Sequence, residues 1–174
     1  MKQGRALPEV LMELQRQNAA KQDFIAPAAA LSLSDDGDTF VMDHVGPKDS
    51  MSMNTTDLFH RQMGSALNIP AKYYDLMRIQ KPSLLAQNVN SWLSSRDQSY
   101  MVRSMDYGNG RVARALLSDR YRRIDNLEVA SAVLPLFAGK EEMEVVSCEV
   151  TENKLHIKIV NHKLEMAVVP GDYV

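Results

Sequence analysis

Between Arg111 and Arg123 the chain reads RVARALLSDRYRR, five arginines and one aspartate in thirteen residues, threaded with alanine and leucine. Extended back to Arg103, the segment holds six arginines against Asp106 and Asp119, in a 174-residue chain whose net charge is −2. A near-neutral chain is not a polyanion binder over its whole surface, so any contact with nucleic acid must come from a local patch. Arginine suits that task. Its planar fork pairs bidentately with phosphate and stacks on bases. Tyr100, Tyr107 and Tyr121 are interleaved with these arginines. Aromatic rings beside a basic strand make a surface for single-stranded nucleic acid, where each stacked base is worth about 1–3 kcal/mol. A charged hairpin face that pairs with Asp106, Asp119 and Glu128 explains the same composition, and composition alone leans slightly toward it, because arginine clusters also serve structural ion pairs.

Geometry narrows the candidates. Arg111 and Arg114 on one strand point to opposite faces and cannot both line one groove. Arg120, Tyr121, Arg122 and Arg123 lie beyond the strand, just before a helix whose N-terminus also attracts anions. The candidate nucleic-acid-binding set is therefore Arg111, Arg114, Arg120, Tyr121, Arg122 and Arg123, with the weight on the last four.

Nothing else in the sequence spells out chemistry. It has no Gly-rich phosphate loop ending in Lys-Ser/Thr, no G-x-G-x-x-G and no G-x-S-x-G. His44, His60, His156 and His162 lack the spacing that starts a metal site, so they read as surface histidines. Asp35/Asp36 and Glu141/Glu142 read as solvated turn charges. The lone Cys148 excludes an internal disulfide and reads as a small buried residue of a strand. No nucleophile, base and orienter converge, so the reading assigns no catalytic residue, no metal and no cofactor.

These residues need elements to position them. Leu7, Val10, Leu11 and Leu14 give an amphipathic helix over about 8–20. DDGD marks a turn between strands near 28–33 and 39–43. GPKDSMSMN reads as a loop. Residues 54–95 fall into three helices, the first capped by Asn54 or Thr55 and closed by Asn68, the others opened by Pro70 and Pro82. In the third, Leu85, Val89, Trp92 and Leu93 share a face, and Trp92 is expected to be buried. SYMVRSMDY is a strand. RVARALLS has helix-forming composition, but Asn109-Gly110 before it is a hairpin signal, and the strand is preferred. Asp125 and Glu128 form a capping-box pair for a helix over 125–138 that Gly139 ends. MEVVSCEV, LHIKIV and LEMAVV alternate as a three-stranded meander.

The fold class is thus α+β: an antiparallel sheet of hairpins and a C-terminal meander with a helical insertion. Residues 1–22 form an N-terminal amphipathic helix and 23–174 a single domain, incomplete at its C-terminus because the chain stops inside a sheet. An open edge there would pair with another chain, so the reading expects a homo-oligomer or a partner chain that completes the sheet. No run is long enough to cross a bilayer, and no targeting segment is read at the start. A cytoplasmic setting without a membrane partner follows.

The blocks RALLSDRYRRIDNLEVASAVLPLF, LNIPAKYYDLM and LLAQNVNSWLSSRDQSYMVRSMD resemble a phage- and plasmid-like protein family of the domain-of-unknown-function type, carried on mobile elements. The resemblance runs from about residue 54 to the end, and L-S-D-R-Y followed by I-D-N is its most specific part. The family continues past GDYV into further strands and a block with Tyr-Arg and Cys-Asn-Gly, so this chain resembles its N-terminal half. The resemblance implies a bacterial cytoplasm and DNA transactions, and it brings no catalytic residues. The expected function is that of a non-enzymatic accessory protein binding DNA, single-stranded DNA included, in recombination or replication. The alternative is a protein-interaction module, an inhibitor or assembly factor, acting through an exposed sheet edge and the N-terminal helix.

Overall fold

The structure, a computed structural model, describes residues 7–43, 50–137, 140–151, 154–164, 167–169 and 172–173. The chain divides into two compact units, Ala20–Arg122 and a second built from Met1–Ala19 with Arg123–Val174. One boundary falls after Ala19 and one after Arg122, whereas the sequence reading sets residues 1–22 apart from a single domain over 23–174. The second, after Arg122, was not expected. It arises because Val10 and Leu14 of the first helix share a small core with Ala130 and Cys148, far apart as they are in sequence.

Helix α1 (Leu7–Ala20) opens the chain and leads into the larger unit. That unit is a six-stranded sheet of β1 (Lys21–Pro27), β2 (Leu31–Leu33), β3 (Thr39–Asp43), β4 (Ser50–Thr55), β5 (Ser99–Asp106) and β6 (Arg111–Ser118). The spatial order is β1-β5-β6-β4-β3-β2. Every neighbouring pair is antiparallel except β4 and β6, which run parallel. The expected helical insertion connects β4 to β5 as α2 (Asp57–Leu67), α3 (Ala71–Gln80) and α4 (Pro82–Ser94). Phe40, Met42, Met53, Val102 and Leu116 of the sheet form one core with Phe59, Met63, Leu85, Val89 and Leu93 of these helices.

Local sequence accounts for most boundaries. The hairpin signal prevails over helix propensity: residues 111–118 form a strand paired to β5. Gly108 and Gly110 carry the positive φ of the connecting turn. Asn68 ends α2 at φ 58, in the left-handed region that asparagine tolerates. The N-cap of α2 is Thr56, one residue beyond the expected pair. Its hydroxyl accepts from Phe59 N and donates to the Arg114 carbonyl, which ties the helix start to β6. Gly37, in the DDGD turn, sits at φ +77, and a Cβ there would lie 2.9 Å from Pro82 Cβ.

Other expectations fail. The segment read as a loop contains strand β4, whose Met51 and Met53 point inward while Ser52 and Asn54 point outward. Serine and methionine carry little strand propensity, which hid the alternation. Trp92 is 51% exposed. The buried arc of α4 is Leu85, Ala86, Val89 and Leu93, and at roughly 100° per residue Trp92 falls on the border of that arc.

In the smaller unit, α1 packs Val10 and Leu14 against Ala130 of α5 (Asn126–Val133) and Cys148. Cys148 lies in β7 (Met143–Val150), which pairs with β8 (Leu155–Asn161). The cysteine is buried as expected. The capping box at Asp125 and Glu128 forms, with Glu128 Oε2 accepting from Asp125 N at 3.2 Å. Among the described residues, the third strand of the expected meander, β9 (Ala167–Val169), pairs with β10 (Asp172–Tyr173) and not with β8. A 3-10 turn at His162–Leu164 follows β8, with His162 N bonded to the Glu142 carbonyl. Gly139 and His44 lie outside the described residues. Among the described residues, no helix is long and apolar enough to cross a membrane.

Leu85→Ala should cost about 2–5 kcal/mol, the range for truncating a buried leucine. Trp92→Ala should cost less than about 1 kcal/mol, in keeping with exposed positions. Urea unfolding of the two variants measures both, and a reversed order would mean that α4 is rotated.

Candidate functional site

The hairpin β5–β6 sorts the arginines into two groups. Arg103 sits opposite Asp23 in the β1–β5 register. Its Nε and Nη2 each reach a carboxylate oxygen at 2.9 Å, and the Asp23 side chain is only 3% exposed. Arg111 donates to Ser104 Oγ at 2.9 Å and lies 3.8 Å from Asp106. Arg114 reaches Met105 Sδ at 3.6 Å. Ser104 and Met105 are consecutive on β5, so Arg111 and Arg114 occupy opposite faces, as strand alternation requires. These three guanidiniums are engaged by the sheet.

Arg120, Tyr121 and Arg122 follow β6 and are exposed. The turn that presents them is held by Tyr121 N bonding the Ser118 carbonyl and Arg120 N bonding Ser118 Oγ. Neither Arg120 nor Arg122 forms an ion pair with any described residue. Arg123 is exposed too and begins the smaller unit.

Arg120 also borders a groove of about 780 Å³ within the larger unit. Gln62 and Ser65 of α2 line it, with Arg96, Gln98 and Tyr100. Neither Arg96 nor the glutamines were expected at a site. The signal lay in the hairpin register: Tyr100 faces Ser118, so residues just before β5 must meet those just after β6. A second groove, of about 710 Å³, belongs to the smaller unit and is apolar, with Leu7 and Leu11 of α1 facing Leu127 and Leu134.

His60, read from sequence as a surface histidine, is 2% exposed. It lies on the same helical arc as Met63, Gly64 and Leu67, and its polar type concealed that. Thr55 Oγ1 donates to the Asp38 carbonyl at 2.7 Å. It must therefore accept from His60 Nε2, which also stands 2.7 Å away. With Nε2 carrying the proton, Nδ1 accepts from the Tyr74 hydroxyl at 2.8 Å. The carboxylate of Asp38 lies 3.2 Å from Nε2. Arg78 bridges this carboxylate and that of Asp57, at 2.9 and 2.8 Å. Burial, reinforced by the Arg78 guanidinium, pushes the imidazole down to about 4 against the pull of Asp38. Hydroxyl, imidazole and carboxylate thus form the order of a nucleophile, a base and an orienter. The Tyr74 hydroxyl is nonetheless buried, and burial raises its pKa, so it is neither ionised nor presented to a substrate. The chain is a structural relay. Among the described residues, no group of three or more His, Cys, Asp or Glu side chains could hold a metal ion.

Comparison with family models, with curated proteins and with solved structures finds no match to this chain. The resemblance drawn above therefore rests on its sequence blocks alone.

The depressed pKa of His60 makes stability depend on pH. The unfolded imidazole takes a proton near pH 6.5 and the folded one only near pH 4. The unfolded state binds more protons in that window, so stability is full above it and falls on acidification through it. The steepest slope is about 1.4 kcal/mol per pH unit, and the total is about 3 kcal/mol. Urea midpoints between pH 7.5 and 4.5 should show this decline, and His60→Gln should abolish it. An identical decline in the variant would assign it to other groups.

Proposed function

We propose that this protein binds single-stranded nucleic acid through the exposed segment Arg120-Tyr121-Arg122, as a non-enzymatic accessory factor. The observation that carries this reading is the sorting of the arginine cluster. Arg103 and Arg111 are held by carboxylates of their own sheet. Arg120 and Arg122 stand in solvent without such a partner among the described residues, with the 46% exposed ring of Tyr121 between them. Two cations flanking an aromatic ring suit phosphates on either side of a stacked base. DNA of a phage or plasmid, in recombination or replication, is the setting that the sequence resemblance supplies.

Each phosphate contact releases counterions, so its loss flattens the salt dependence of binding. Arg120→Gln and Arg122→Gln should each reduce the log–log salt slope by about 0.7 for a single strand. Tyr121→Ala should leave the slope unchanged and weaken binding by about 1–3 kcal/mol. All three positions are exposed, so melting temperatures should hold. Titration of a fluorescent oligonucleotide against salt measures these effects. Absence of binding by the parent protein at low salt would discard the reading in favour of a protein-interaction module.

A further inference from the structure

We infer that the groove beside Arg120 seats an unstacked base, so that single strands are held by nucleotide capture as well as by backbone charge. This rests on the nucleic-acid reading above and assigns the groove its ligand class. The volume of about 780 Å³ lies in the range of small-molecule sites, about 300–1,000 Å³. Its charge argues against a polyphosphate. Arg96 and Arg120 are matched by Asp97 and Asp119 in the same lining. A ligand with one phosphate and a neutral polar body fits that balance, and a nucleotide unit of a strand is such a ligand.

The hydrogen-bonding groups of the lining are oriented by the protein itself. Gln62 Oε1 accepts from Leu116 N at 2.9 Å. That bond fixes the amide and leaves the two Nε2 hydrogens to donate. Gln98 Nε2 donates to the Tyr100 hydroxyl. That leaves Gln98 Oε1 as an acceptor and the Tyr100 hydrogen as a donor. Donors and an acceptor of fixed sense in the lining match the mixed edge of a base, and they do not match an aliphatic chain. Ala66 and Leu116 add apolar surface for the base face. Arg96 and Arg120 are left for the adjoining phosphate.

The test compares two oligonucleotides of equal length and charge, one with bases and one abasic throughout, on the parent protein and on Ser65→Trp. Ser65 is exposed and lines the groove. An indole there takes up part of the groove and leaves both arginines of the lining unsubstituted. The parent should prefer the base-bearing strand by tenfold or more. Ser65→Trp should cut that preference down to the share that stacking on Tyr121 supplies, and keep both its affinity for the abasic strand and its salt slope. Gln98→Ala, also at an exposed position, should reduce the preference and serves as the second variant should Ser65→Trp not fold. Equal binding of the two strands by the parent would overturn base capture and leave the phosphate reading standing. So would a preference that is undiminished in a folded groove variant, since stacking on Tyr121 would then account for all of it. No binding of either strand at low salt would overturn the nucleic-acid reading itself, and base capture with it.

Discussion

A neutral imidazole sealed in the core must have both ring nitrogens hydrogen-bonded, because an unsatisfied buried polar group costs about 1–3 kcal/mol. In the larger unit His60 imposes that requirement, and four elements converge to meet it. Tyr74 comes from α3, Thr55 from the end of β4 and Asp38 from the turn before β3, while His60 itself sits on α2. Glycine at residue 64 lets Tyr74 approach without a shift of its ring. A Cβ there would stand 3.1 Å from the tyrosine ring. The relay therefore fixes how α2 and α3 rest on the sheet. The Thr56 cap bonds on to β6 and sets the strand from which the basic segment departs.

The sheet edges are handled with comparable economy. Asn90 of α4 accepts from Leu33 N at 2.8 Å and donates to Leu33 O at 2.9 Å. One side-chain amide thus stands in for a neighbouring strand on the edge strand β2. At the other edge β1 ends in Pro27, which has no N–H to offer, while the next residue turns its N–H inward to the Gln98 carbonyl. Both devices leave fewer open backbone groups for a second chain to pair with. In the smaller unit the apolar face of α1 is covered by Ala130 and Cys148, so the amphipathic pattern of residues 7–14 has its explanation inside that unit.

Where the sequence was legible, a single residue type carried a geometric necessity. Asn109-Gly110 demanded a turn and so decided between strand and helix for residues 111–118. Asn68 could take a left-handed conformation, and Asp125 with Glu128 could cap a helix. Where it was not legible, residue identity and environment disagreed. His60 is polar in type and buried in fact, because its partners come from residues far apart in the chain. Trp92 is apolar in type and half in solvent, because Leu93 beside it fills the inward position. The groove depends on a pairing register across the hairpin, and its lining of glutamine, serine and tyrosine carries no motif. The α+β class, by contrast, followed from the alternation and the proline-punctuated helices.

The count of arginines overstates the charge turned outward, and burial explains why. Asp23 is a nearly dry carboxylate held by two charge-assisted hydrogen bonds from Arg103. Drawing that guanidinium away toward a ligand would strand a buried charge, at a cost of about 3–5 kcal/mol. No single phosphate contact at an exposed surface returns as much. Arg111 is tied more loosely, its carboxylate partner 3.8 Å away and half exposed, yet its hydroxyl partner Ser104 is fully buried. Arg120 and Arg122 have nothing comparable to give up. A run of arginines that looks uniform in sequence is thus graded in the structure, from cations that hold strands together to cations free to meet a ligand. The grade follows position along the hairpin: the strand claims its own, and Arg120 and Arg122, past Ser118, are left to solvent.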